Sequence, residues 1–227
     1  MINSPVLIDI IKIFFVFILA TAAMIISVRT LKTLLNIYAL QSLCIAAIAL
    51  LLYFKTGSFI LLLLTLLTIA TKVFLIPYVM RRIQKSMKLQ RDVQFRYLTP
   101  IGSVIAGVAI IFIVYRAFSA FLVDISQEQM FFFGAIIGVS LALMGMMVIF
   151  TRKQMITKIL GYLMMENGVL LFSLFIAELP FIIEVLIIID LIMLIVLATV
   201  LAFGIDSSID EFHARLSSFT FWFKDKS

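Results

Sequence analysis

Residues 57–80 read GSFILLLLTLLTIATKVFLIPYVM, and this stretch decides what kind of protein the chain is. At 1.5 Å per residue a helix of that length covers about 36 Å, more than the roughly 30 Å hydrocarbon layer of a bilayer. Its one charged side chain, Lys72, falls deep inside the run rather than at an end. The apolar residues are continuous rather than alternating, which excludes a barrel strand.

Six further runs have the same character, at 5–28, 32–54, 98–122, 129–150, 155–177 and 180–204. Across the 227 residues 64% are hydrophobic and only 13% charged, far from the roughly 45–50% apolar content of a soluble domain. The sequence therefore predicts an all-α integral membrane protein with about seven transmembrane helices. The first run is too long for the apolar segment of a signal peptide and has no basic stretch before it, so it reads as a retained span. Cys44 is the single cysteine, which excludes an intramolecular disulfide and a thiolate cluster built from this chain alone. His213 is the single histidine and lies in the tail, so no histidine metal or haem site is expected among the spans.

Loop charge sets the orientation. The connections after the first, third and fifth spans carry Arg29 and Lys32; Arg81, Arg82, Lys85, Lys88, Arg91 and Arg96; and Arg152, Lys153 and Lys158. They hold eleven of the 18 basic residues and one acid, Asp92. The alternate loops hold Lys55, Asp124, Glu128 and Glu178. Seven crossings with this bias place the N-terminus outside and the C-terminus in the cytoplasm. The same asymmetry accounts for the net charge of +6, and no basic groove interleaved with aromatic residues calls for nucleic acid.

The chain divides into a four-span region (1–127), a three-span region (128–205) and a tail (206–227). In the tail, Ser208 to Glu211 has capping-box spacing, and Phe212, Leu216, Phe219 and Phe223 recur at helical spacing. That pattern predicts a short amphipathic helix lying on the membrane or docked on a partner. Arg29–Ser42 (RTLKTLLNIYALQS) and Arg152–Glu166 (RKQMITKILGYLMME) each run from a basic entry through a tyrosine to a polar pair or an acid. They fit a weak parallel duplication.

Four ionisable residues carry the candidate chemistry: Lys72, Glu166, Glu184 and Asp190. A Lys or Asp at the centre of a spanning helix costs roughly 2.5–3.5 kcal/mol, so such residues usually face other helices or a wet cavity and serve ion or proton movement. Glu166 lies near the middle of its span. Apolar surroundings at that depth suit a proton carrier better than a fixed anion, while the alternative is a neutral acid bonded to Asn167 or backbone as helix glue. Asp190 is also near mid-span, whereas Glu184 is within about two turns of the outer end. Six residues apart, these two point to different faces, which disfavours a direct pair. Lys72 lies about 12 Å from the cytoplasmic end of its helix. It either snorkels toward water or pairs with one of the acids. Pro77 leaves the carbonyl of Val73 without its helical donor, a local opening beside Lys72. Arg116, Asp9 and Lys12 lie close enough to span ends to be ordinary interfacial charges. The chain has no phosphate loop, nucleophile elbow or metal-ligand pattern, which argues against an independent redox enzyme.

With these residues in view, the runs TRKQMITKILGYLMMENGVLLF, IIEVLIIIDLIMLIVL and ATKVFLIPYVM resemble component E of the formate-hydrogenlyase-type (hydrogenase-4) membrane-bound NiFe hydrogenases over essentially the whole chain. The last three spans are similar to the K subunit of respiratory complex I. Gly161 and Asn167 match that family's Gly-Leu-Glu-Ile-Met-Ile-Asn motif, and Asp190 takes the place of its second acid. Gly204-Ile205-Asp206-Ser207 is similar to its ending. The position of the family's first glutamate is Leu163 here, and the acid comes three residues later at Glu166, on nearly the same face but about one turn along.

The resemblance implies a non-catalytic membrane-arm subunit of a group 4 NiFe hydrogenase or complex-I-like oxidoreductase in a prokaryotic cytoplasmic (inner) membrane. It implies no cofactor or metal in this chain, with the Ni–Fe site and iron–sulfur clusters in partner subunits. Antiporter-like and other membrane-arm subunits and the lipid bilayer would be its partners. Glu166, Asp190, Lys72 and Glu184 would pass protons or sodium as electrons flow, with Gly161, Asn167 and Pro77 shaping the helices around them. Two alternatives stand beside this reading: a subunit of a multisubunit cation/proton antiporter, similar to its C subunit, and a purely structural membrane scaffold.

Overall fold

In the computed structural model the described residues are 5–86, 99–121, 129–152 and 155–175, together with positions 185, 188, 189 and 192. The described residues are almost entirely helical, and six helices among them are long and apolar enough to cross a membrane. The elements are α1 (Pro5–Ser27), α2 (Leu31–Thr56), α3 (Phe59–Thr68), a π-helical segment π1 (Ile69–Leu75), α4 (Ile76–Ser86), α5 (Pro100–Phe121), α6 (Gln129–Thr151) and α7 (Met155–Phe175). Continuous runs of Leu, Ile, Val and Phe favour helices of this length because every backbone group is satisfied within its own segment. α3, π1 and α4 follow one another without a break and together form the rod expected over 57–80. The expected seventh span and the amphipathic tail lie outside the described residues, apart from those four helical positions.

Each helix buries one stripe. On α1, Leu7, Ile11, Phe15, Ile18, Ala22 and Ile25 recur every three or four residues and are buried. α1 packs on α2, α5 and α6, and α2 in turn touches π1, α4 and α7. A single cluster of buried apolar side chains runs from Leu7 to Phe175, across the 127/128 boundary. Unlike a water-soluble fold, the described helices also carry large apolar side chains on the outside and several polar ones within. Val16, Phe54, Phe74, Ile101, Phe112 and Phe150 face outward, while Gln41, Ser42, Lys72, Ser140, Glu166 and Asn167 are buried.

Among the described residues α6 and α7 pack most extensively, and glycine makes that close approach possible. A Cβ built on Gly168 would lie 2.3 Å from the Ala142 backbone nitrogen, and one on Gly145 would lie 2.4 Å from that of Met165. Real side-chain carbons do not approach backbone so closely, so both positions require glycine for the helices to meet. Gly57 has a different role. It turns the chain between α2 and α3 with φ of 70°, donating its N–H to the Tyr53 carbonyl at 2.7 Å in a left-handed helix stop.

The α6–α7 elbow also holds α1. Arg152, read above as a loop charge, is buried, and its guanidinium donates to the carbonyls of Ile26 at 2.8 Å and Ile25 at 3.2 Å. These are C-terminal carbonyls of α1, which carry partial negative charge. Burial pulls the guanidinium down to about 10, so it remains charged at neutral pH. Nearby on the surface, Arg81 of α4 donates to the Asn36 side-chain oxygen of α2. These contacts gather the C-terminal ends of α1, α4 and α6 and the N-terminal ends of α2 and α7 at one end of the bundle.

Gly168→Ala is expected to lower the thermal midpoint of the purified protein in detergent, since overpacking a tight contact costs about 1–3 kcal/mol. Gly57→Asn, which tolerates the left-handed conformation, is expected to leave the midpoint nearly unchanged.

Candidate functional site

The site begins with an irregularity in the backbone. Between α3 and α4 the helix widens into π1, where the Ile76 N–H bonds the Thr71 carbonyl five residues back instead of four. Pro77 fits this disturbance: it has no N–H to donate in either register, and its ring would crowd the carbonyl of Val73 in an undisturbed α-helix. Wide turns of this kind are uncommon and often mark functional positions. Here the wide turn carries Lys72, whose side chain is fully buried.

Lys72 meets Glu166. Its Nζ lies 3.2 Å from Oε1, and the two side chains are 0% and 3% exposed. Of the two alternatives for Lys72, snorkelling and pairing, the geometry shows the pair. The ends of the helices put both residues at similar depth. Lys72 is nine residues from Arg81 and Glu166 eleven from the start of α7, about 14 and 16 Å along their axes from the shared end. Two opposite charges removed from water in contact neutralise each other's field, and that offsets part of the several kcal/mol that each costs to bury.

Glu166, Asn167 and Gly168 are consecutive on α7 and so point in directions about 100° apart. Each meets a different neighbour: Glu166 meets Lys72 of π1, Asn167 meets α2, and Gly168 meets the backbone of α6. On the α2 side, Asn167 Nδ2 donates to Ser42 Oγ at 2.9 Å and reaches Gln41 Oε1 at 3.5 Å. Gln41 Nε2 in turn donates to Thr21 Oγ1 of α1 at 3.4 Å, and Thr21 donates to the Ile18 carbonyl at 2.8 Å. Gln41, Ser42 and Asn167 are 0% exposed. Two amide donor ends point into this cluster, which suits a hydrogen-bonded brace rather than an oxygen cage for a cation.

The structure thus brings together Lys72, Glu166, Asn167 and Pro77 of the residues singled out from sequence. Gly161 is also placed: it backs the hairpin, where a Cβ would lie 2.9 Å from Val148 Cγ1 and 3.0 Å from the Gly145 carbonyl oxygen. Glu184 and Asp190 lie outside the described residues. Asp9 and Lys12 form an exposed pair at 3.2 Å, and Arg116 is exposed. No group of three or more His, Cys, Asp or Glu side chains that could hold a metal occurs among the described residues. Gln41 and Ser42 were not singled out as site residues. Their signal was present in the sequence as two adjacent polar residues inside an apolar span, at the depth of Glu166 in its own.

No family model, curated protein or solved structure matches the chain.

Breaking a buried pair by removing one partner costs about 3–5 kcal/mol, whereas replacing both with apolar groups is often neutral. Lys72→Met and Glu166→Leu are each expected to lower the thermal midpoint in detergent, and the double variant is expected to lie above either single one. A double variant whose loss equals the sum of the two would show that the residues do not interact.

Proposed function

We propose that this chain is a multi-pass subunit of a prokaryotic cytoplasmic membrane in which the Lys72–Glu166 pair relays protons or sodium-coupled charge. We place it in the membrane arm of a group 4 NiFe hydrogenase or complex-I-like assembly. The observation that carries the reading is a lysine and a glutamate 3.2 Å apart with essentially no solvent exposure. Intramembrane charges are expensive and are commonly kept for ion transfer. The outward-facing apolar side chains around the pair fit a lipid environment. The sequence resemblance supplies the assembly, and the basic helix ends supply the orientation, with seven spans and the N-terminus outside.

The pair suits a relay because each partner controls the other's proton. A proton arriving on the Glu166 carboxylate makes it neutral and removes that negative charge from beside the Lys72 ammonium. Lys72 then releases its proton to the next acceptor and becomes a neutral amine. Transfer of the proton from Glu166 to Lys72 restores the pair, with one proton moved and no net change in the site. Asp190 and Glu184, on the span that follows, would extend the path. The Ni–Fe site and iron–sulfur clusters would sit in partner subunits, and antiporter-like subunits would share the current.

Glu166→Gln keeps shape and hydrogen bonding but cannot exchange a proton. In membranes containing the intact assembly, redox-driven ion uptake is expected to fall by about 100-fold or more, the scale of losing one positioned proton-transfer group. Complex assembly and electron transfer with an artificial acceptor should persist. Unchanged uptake would reduce the pair to structural glue and favour the scaffold reading.

A further inference from the structure

The geometry points to Asn167 and Ser42 as positioning residues for the buried pair: their hydrogen bond fixes the rotation of α7 so that Glu166 faces Lys72. This rests on the relay reading for its functional consequence, though not for its geometry.

Glu166 and Asn167 are adjacent, so no rotation of α7 moves one without the other. About 100° separates them around the axis. With the Asn167 amide held 2.9 Å from Ser42 Oγ, the direction of Glu166 is set, and in that direction stands Lys72 at 3.2 Å. On the other side of Asn167, Gly168 lies against α6 with no side chain, and this contact limits the approach of α7 without giving it a directional bond. The polar bond to α2 therefore supplies the angular restraint.

The residue before Ser42 adds a second hold on Asn167: Gln41 spans from Asn167 to Thr21 of α1, and Thr21 closes on the Ile18 carbonyl. The donors run in one sense, from α7 through α2 to α1, and end on a backbone carbonyl. A carboxamide holds its N–H protons tightly and passes none on at neutral pH, so this line fixes position without offering a second proton route out of the pair. All four polar side chains are buried, with Thr21 the most accessible at 3%. A hydrogen bond in such surroundings is stronger than in water and expensive to leave unmade.

The test uses infrared spectroscopy of the full-length protein in lipid nanodiscs, in which Glu166 bands are isolated by subtracting the spectrum of Glu166→Gln. Asn167→Ala and Ser42→Ala are expected to remove the ion-paired carboxylate band of Glu166, while Ser42→Thr, which keeps the hydroxyl, restores it. Helical content by circular dichroism establishes that each variant is folded. Should Asn167→Ala not fold, the Ser42 variants decide alone. Unchanged Glu166 bands in folded Ser42→Ala, or equal loss in Ser42→Ala and Ser42→Thr, would overturn the assignment. Redox-driven uptake separates this from the relay itself. If uptake ignores Glu166→Gln while the bands still follow Ser42, the positioning stands and the relay falls.

Discussion

A lysine and a glutamate shut away from water must answer each other's charge, and the rest of this structure is arranged so that they can. Both side chains are almost fully shielded from solvent, so their separation and alignment weigh heavily in whether burying them is tolerable. Three parts of the fold converge on that requirement. The wide turn ahead of Pro77 carries the buried Lys72, the α6–α7 glycines seat α7 against α6, and the Asn167 amide sets its rotation.

The consequence is a site built from elements far apart in sequence, where one helix does three things at successive residues. Glu166 carries charge, Asn167 carries direction and Gly168 carries proximity. Such economy leaves little freedom. A bulkier residue at 168 separates the helices, an apolar one at 167 frees the rotation, and a neutral one at 166 takes the carboxylate charge away from Lys72. The Arg152 cap belongs to the same logic at the bundle end, tying the start of the α7 segment to the last carbonyls of α1. It fixes where α7 begins, as the Asn167 bond fixes how it is turned.

Much of the fold was legible in the sequence, because apolar runs of more than twenty residues have few alternatives. Six of the expected spans correspond to six long helices within a few residues at each end. The importance of Lys72 and Glu166 as buried charges could be read from depth alone. Their partnership could not, since periodicity places a residue on a face of its own helix but says nothing of which helix stands opposite. Pro77 announced a disturbance near Lys72 without revealing that it would be a change of helical register. Arg152 misled for a related reason. Its basic neighbours Lys153 and Lys158 made it look like one more loop charge, whereas its position just past α6 aims it at unsatisfied carbonyls. Gln41 and Ser42 appeared as a polar pair in a possible repeat, and only the packing of α2 on α7 shows what they hold.

If the buried pair organises the fold, Lys72 and Glu166 stay in contact when the protein is in a bilayer. Solid-state NMR with 15N-lysine and 13C-glutamate in lipid, with Lys72→Met used to assign the signal, measures it directly. Dipolar contact is expected between Lys72 Nζ and the Glu166 carboxyl carbon at about 4 Å or less, the range of a direct ion pair. A Lys72 ammonium that shows no such coupling and exchanges freely with water would contradict it.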